Sequence, residues 1–125
     1  MDYVIYAHLQ RGEDQAARKA LKELNALARY QDNFVSAYGV TAARVRYPLE
    51  RGHWAEAVTL PVRVPAALNW DKYPAVEAIS HFARGLGGAR SNDLRVAKQS
   101  VAALDDLNQR LKDTGQDYWS VLVDA

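Results

Sequence analysis

Cysteine is absent from this sequence, which excludes disulfides, thiolate zinc sites, iron–sulfur clusters and cysteine nucleophiles. The absence fits a reducing cytoplasm, and a cytoplasmic location is expected. Net charge is nearly absent too. With 16 basic and 15 acidic side chains the formal charge is +1, too small to supply the sequence-independent phosphate attraction on which nucleic-acid binders depend. DNA and RNA are therefore not expected partners. No apolar run approaches the length of a membrane span, and residues 1–10 lack the basic start, apolar stretch and cleavage site of a secretory signal. No membrane partner is expected. Proline is scarce as well, and three of the four, Pro61, Pro65 and Pro74, fall in one short stretch. Pro61 and Pro65 break the helical pattern there, and Pro74 sits where the first turn of a helix tolerates it.

At 125 residues, with 49% hydrophobic and 25% charged side chains, the chain can bury a core of its own, and residues 1–125 read as one domain. Self-similarity organises it. Leu9-Gln-Arg-Gly12-Glu-Asp-Gln-Ala-Ala17, Leu49-Glu-Arg-Gly52-His-Trp-Ala-Glu-Ala57 and Ala89-Arg-Ser-Asn92-Asp-Leu-Arg-Val-Ala97 share a turn residue followed five positions later by alanine. Positions 12, 52 and 92 are forty residues apart, as are 17, 57 and 97. Glycine and asparagine enter the left-handed conformation that ends a helix at least cost. The alanine lets the second helix lie close on the first.

Apolar residues recur at the three-and-four spacing of a buried helical face: Ala17, Leu21, Leu24 and Ala28 in one helix, and Leu94, Ala97, Val101, Leu104 and Leu111 in another. The pattern predicts helices over 2–11, 13–30, 33–51, 53–60, 73–91 and 93–114, and no strand. Asp93 and Gly115 supply start and stop chemistry for the last of these. The prolines at 61 and 65 shorten the fourth helix and leave a connector that packs Trp70 and Leu68 against the stack. Tyr118, Trp119, Val121 and Leu122 read as the opening of a further helix. It either folds back on the sixth or pairs with a second copy to give a homodimer.

Gly52, Trp54 two positions later and Ala57 five later resemble the helix-to-helix corner of the tetratricopeptide repeat family. The runs Tyr6-Ala-His-Leu-Gln-Arg-Gly12 and Ile79-Ser-His-Phe-Ala-Arg-Gly-Leu-Gly87 resemble the repeat region of longer bacterial members. The forty-residue spacing is longer than that family's repeat of about 34 and also suits other helical repeats. The resemblance implies an all-α, right-handed stack of about three antiparallel helix pairs, with a ligand held on the inner face of the first helices. Register from the turn residues places Tyr6, Gln10, Arg46, Glu50, Phe82 and Arg90 there. The positions used by chaperone-binding members to clamp a terminal carboxylate hold Tyr3, Ala43 and Ala83, so that activity is not implied.

Arg44 and Arg84 are again forty apart, with Arg46, Arg51 and Arg90 nearby. Two readings stay open: a row that grips an acidic peptide or metabolite, or a solvated face paired with Glu50, Asp71 or Glu77. Glu77 precedes His81 by four residues and Glu56 follows His53 by three, which puts each pair on one helix face. Neither pair has the third ligand a metal needs, so no metal is expected. No nucleophile motif or phosphate-cradling loop is present, and Gly85, Gly87 and Gly88 read as close helix packing. No cofactor and no enzymatic activity are expected. The leading expectation is a non-catalytic module presenting a concave helical surface to a peptide or protein, with self-association as a further expectation. The alternative is a small-molecule binding or sensing protein, with a pocket of Tyr38, Trp70 and Tyr73 beside the 61–74 connector.

Overall fold

The computed structural model describes residues 2–26, 31–116 and 123–124. The expected aromatic helix at Tyr118 to Leu122, the homodimer contact assigned to it and the end of the second expected helix fall outside these residues. Among the described residues the regular elements are all helical: α1 (Asp2–Gln10), α2 (Asp14–Ala26), α3 (Phe34–Arg51), α4 (Trp54–Val58), α5 (Pro74–Arg90) and α6 (Leu94–Asp113), with a single 3-10 turn at Trp70–Lys72. The all-α class is as expected. Several expected helices began one residue early because they included the cap. Asn33 and Asp93 sit outside their helices and accept from the N–H of Ser36 at 2.9 Å and of Val96 at 3.1 Å, satisfying a donor that the first turn leaves free.

The three corners repeat one geometry. Gly12, Gly52 and Asn92 take φ of 72°, 63° and 61°, the left-handed region expected of them. At each corner the following N–H donates back to a carbonyl five residues earlier: Glu13 to His8, His53 to Pro48, and Asp93 to Gly88, each at 2.8 Å. These three bonds are themselves forty residues apart. Five residues beyond the turn, Ala17 and Ala57 have no exposed surface.

Each hairpin packs on the next. Helix α1 touches α2 and α3, α2 touches α3, α3 touches α4 and α5, and α5 touches α4 and α6. One cluster joins Ile5 and Leu9 of α1, Ala17, Ala20 and Leu24 of α2, and Val40, Ala43 and Tyr47 of α3. Another joins Val45, Ala57, Leu60 and Ala83. Burying a side chain such as Ile5 or Leu9 contributes about 1.5–3 kcal/mol. Arg51 ties the first hairpin to the second. Its guanidinium donates to Asp14 Oδ1 and to the Leu9 carbonyl, both at 2.6 Å, where the end of α1 has unmatched acceptors.

Helix α6 departs from the expected face. Leu94 and Val101 are more than half exposed; Leu111 is buried as expected, and with it Val96, Ser100 and Leu107, which the row did not include. The expected row followed the three-and-four spacing of apolar residues along α6 itself, the same spacing by which Ala17, Leu21 and Leu24 of α2 close against α3.

The connector is held by the two arginines that stand forty apart. Arg44 donates to the Val64 carbonyl at 2.9 Å, and Arg84 donates to the Leu60 carbonyl at 2.8 Å. Trp70 and Tyr73 sit under the connector in a cluster with Ala37, Leu68 and Val76.

Candidate functional site

Helices α3 and α5 border a groove of about 430 Å³, lined by Tyr38, Ala42, Val45, Arg46, Leu49, Glu50 and Ile79. Its floor follows from spacing: Ala42, Val45 and Leu49 recur at three and four residues along α3, so they share one face. Its polar groups are the Tyr38 hydroxyl, Arg46 and Glu50. Arg46 lies over the Tyr6 ring of α1, 4.9 Å from its centroid, a cation–π geometry that fixes the guanidinium beside the groove. Tyr38 stacks near-parallel on Phe34, one turn away, with centroids 6.2 Å apart.

The structure divides the expected site residues. Arg46 and Glu50 line the groove, and Tyr6 meets Arg46. Gln10 and Phe82 are exposed but do not line it, and Arg90 lies over the Trp54 ring at 5.7 Å. Of Tyr38, Trp70 and Tyr73, Tyr38 alone lines the groove. Trp70 and Tyr73 are only 4% and 7% exposed, and their polar tips are spent internally, Trp70 Nε1 on the Pro65 carbonyl at 2.9 Å and Tyr73 Oη on Asp32 Oδ1 at 2.8 Å. A buried aromatic with a satisfied polar tip is a core residue. Tyr38 belongs to the groove with Arg46 instead. Sequence reasoning missed Ala42, Val45, Leu49 and Ile79; the apolar spacing along α3 carried a signal for the first three, and none marked Ile79 of α5.

Of the arginines, Arg44 and Arg51 serve the packing described above, with partners largely different from the carboxylates foreseen. Asp71 accepts from Arg63 at 3.0 Å and Arg110 at 3.4 Å. The two helix-face pairs do form approaches, His53 to Glu56 at 3.4 Å and His81 to Glu77 at 3.6 Å, and His8 meets Glu13 at 2.6 Å. Among the described residues no three acidic or histidine side chains converge as a metal site, and no helix is long and apolar enough to cross a membrane.

Glu77 is the most unusual titratable group. Its side chain is 8% exposed, Oε1 accepts from Arg63 Nε at 3.0 Å, and Oε2 is buried without a partner. Burial pushes its carboxyl up, but His81 and Arg63 beside it outweigh that and hold it below the usual range. Arg51 lowers Asp14, and Tyr73 lowers Asp32, in each case against a smaller push from burial. A carboxyl lowered by folding contributes stability that is complete above its unfolded value and lost as pH falls through the folded one. The urea midpoint is therefore expected to hold from pH 7 to about pH 4.5 and to fall below it. Glu77→Gln should flatten that fall, and a midpoint unchanged down to about pH 3 would contradict the ion-pair geometry.

Compared with known proteins, the chain matches no family model, no curated sequence and no solved structure.

Proposed function

We propose that the chain is a non-catalytic protein-interaction module, a tetratricopeptide-like stack whose groove between α3 and α5 takes a short peptide segment of a partner protein. The observation that carries this reading is the groove itself. It has an apolar floor of Ala42, Val45, Leu49 and Ile79, flanked by one cation and one carboxylate, Arg46 and Glu50. Such a surface offers an apolar anchor site with charged groups to set register. The succession α1, α3, α5, each touching the next, supports a continuous inner face. Tyr6, Tyr38 and Phe82 are all 42% or more exposed, and exposed aromatics of this kind supply most of the energy at interaction surfaces. The groove's titratable side chains, Tyr38, Arg46 and Glu50, do not assemble an acid, a base and a nucleophile, which supports the non-catalytic part.

Selection from a displayed random-peptide library, followed by titration of the selected peptides, tests the reading. Peptides with an apolar anchor are expected, and Leu49→Asp with Arg46→Glu should weaken them at least about a hundredfold. Failure to select any peptide, or affinities indifferent to both substitutions in a folded variant, would sink it.

A further inference from the structure

Arg44 and Arg84 occupy the same repeat position, yet their donors are not equally matched. Arg44 gives one terminal nitrogen to the Val64 carbonyl and the other to Asn25 Oδ1 in α2, both at 2.9 Å. Arg84 gives Nη1 to the Leu60 carbonyl, and its Nη2 has no acceptor among the described residues. The difference lies in the second helices. Helix α2 runs on to Ala26 and so supplies Asn25, whereas α4 ends at Val58, and the residue forty after Asn25 is Pro65, which has no polar side chain.

The guanidinium of Arg84 lines a niche of about 350 Å³ between the connector, α5 and α6, together with Val62, His81, Gln99 and Ser100. Two more donors there are unmatched. Gln99 Oε1 accepts from Arg95 Nη1 at 3.2 Å. Because a guanidinium can only donate, this fixes the amide with Nε2 as a donor, and that nitrogen has no acceptor among the described residues. Ser100 is 2% exposed, and its hydroxyl makes no hydrogen bond among the described residues, to His81 or to any other group. Gly85 faces it: a Cβ at that position would stand 3.0 Å from Ser100 Cβ, tighter than ordinary van der Waals contact, so the glycine favours this close approach of α6. Among the described residues no carboxylate lines the niche. Glu77 is engaged by Arg63 and His81.

Three donors without acceptors, one of them a forked cation, surround a space the size of a small metabolite. We propose that this niche binds a small molecule through an oxyanion, a carboxylate or phosphate group received by Arg84 Nη2, Gln99 Nε2 and Ser100 Oγ, with Val62 against its apolar part. The niche shares no residue with the α3–α5 groove, so the two functions stand or fall separately.

Calorimetric titration of the full chain with sodium phosphate and, separately, sodium succinate tests this, against sodium chloride at matched ionic strength. Saturable binding of at least one is expected, and which one binds identifies the oxyanion. Ser100→Ala and Arg84→Lys, each checked for native circular dichroism, should weaken it at least about tenfold, the loss of one hydrogen bond to a charged group. Lysine keeps the charge and the reach to the Leu60 carbonyl but not the fork. If Arg84→Lys fails to fold, Ser100→Ala alone decides. No saturable binding of either salt, or binding that the folded variants retain, overturns the proposal.

Discussion

Alanine at Gly87 is expected to destabilise the protein by about 2 kcal/mol, although helix propensity alone argues for a gain of about 1 kcal/mol. Gly87 lies within α5, so the substitution costs nothing in backbone conformation. What it meets is α4. A Cβ there would stand 2.8 Å from Ala57 Cβ and 2.9 Å from both the Trp54 carbonyl oxygen and the Val58 nitrogen. Two of these three are backbone atoms of a packed helix, which cannot swing aside as a flexible side chain could. A Cβ on its neighbour Gly88 would press the other way, 2.8 Å from Ala97 N in α6 and 2.9 Å from the carbonyl oxygen of the α6 cap residue Asp93. The double variant should lose about 4 kcal/mol if the two sites add, against a whole-domain stability of about 5–15 kcal/mol. Gly39 is the control. It also lies within a helix, nothing stands within 4 Å of its added Cβ, and Gly39→Ala should stabilise by about 0.5–1 kcal/mol. Urea midpoints of the variants decide the matter, and a stabilising Gly87→Ala would refute the close approach of α4 and α5.

Methionine at Arg44 is expected to cost about 3 kcal/mol. Arg44 is 8% exposed, and its guanidinium holds the Val64 carbonyl and Asn25 Oδ1. A hydrogen bond to a charged group contributes about 1.5–3 kcal/mol, and removing the donor leaves both acceptors without it. Part of that loss is returned, because a buried cation no longer has to be desolvated and the methionine stem still fills the space. Arg84→Met breaks a single such bond and should cost about half as much. Equal losses at the two positions, or a loss below about 1 kcal/mol at Arg44, would show that the connector is held by something other than these bonds.

The corners were legible in the sequence because left-handed backbone leaves a mark on composition: few residues other than glycine and asparagine stand at 12, 52 and 92 without strain. Helix positions were legible to within a residue or so at most described ends, and the misplaced ends are cap residues such as Asn33 and Asp93, whose side chains serve the helix from outside it. The buried face of α6 was misread in part, at Leu94 and Val101, because apolar spacing marks a face without saying which side of the helix a neighbour will cover. Partners of the arginines were illegible for a different reason. Backbone carbonyls at Val64 and Leu60 carry no residue identity, so no pattern of letters announces them. The groove divides in the same way: Arg46 and Glu50 followed from register, while Ile79 comes from another helix, and its meeting with Val45 is a fact of packing alone.

Helix α3 meets α1, α2, α4 and α5, so it has no way to open while its neighbours stay in place. Its amide protons should exchange with solvent deuterium only when the whole molecule lets go, whereas those of α1, at the edge of the stack, exchange through local fraying. The slowest protons in this protein thus mark the wall that carries Tyr38, Arg46 and Glu50.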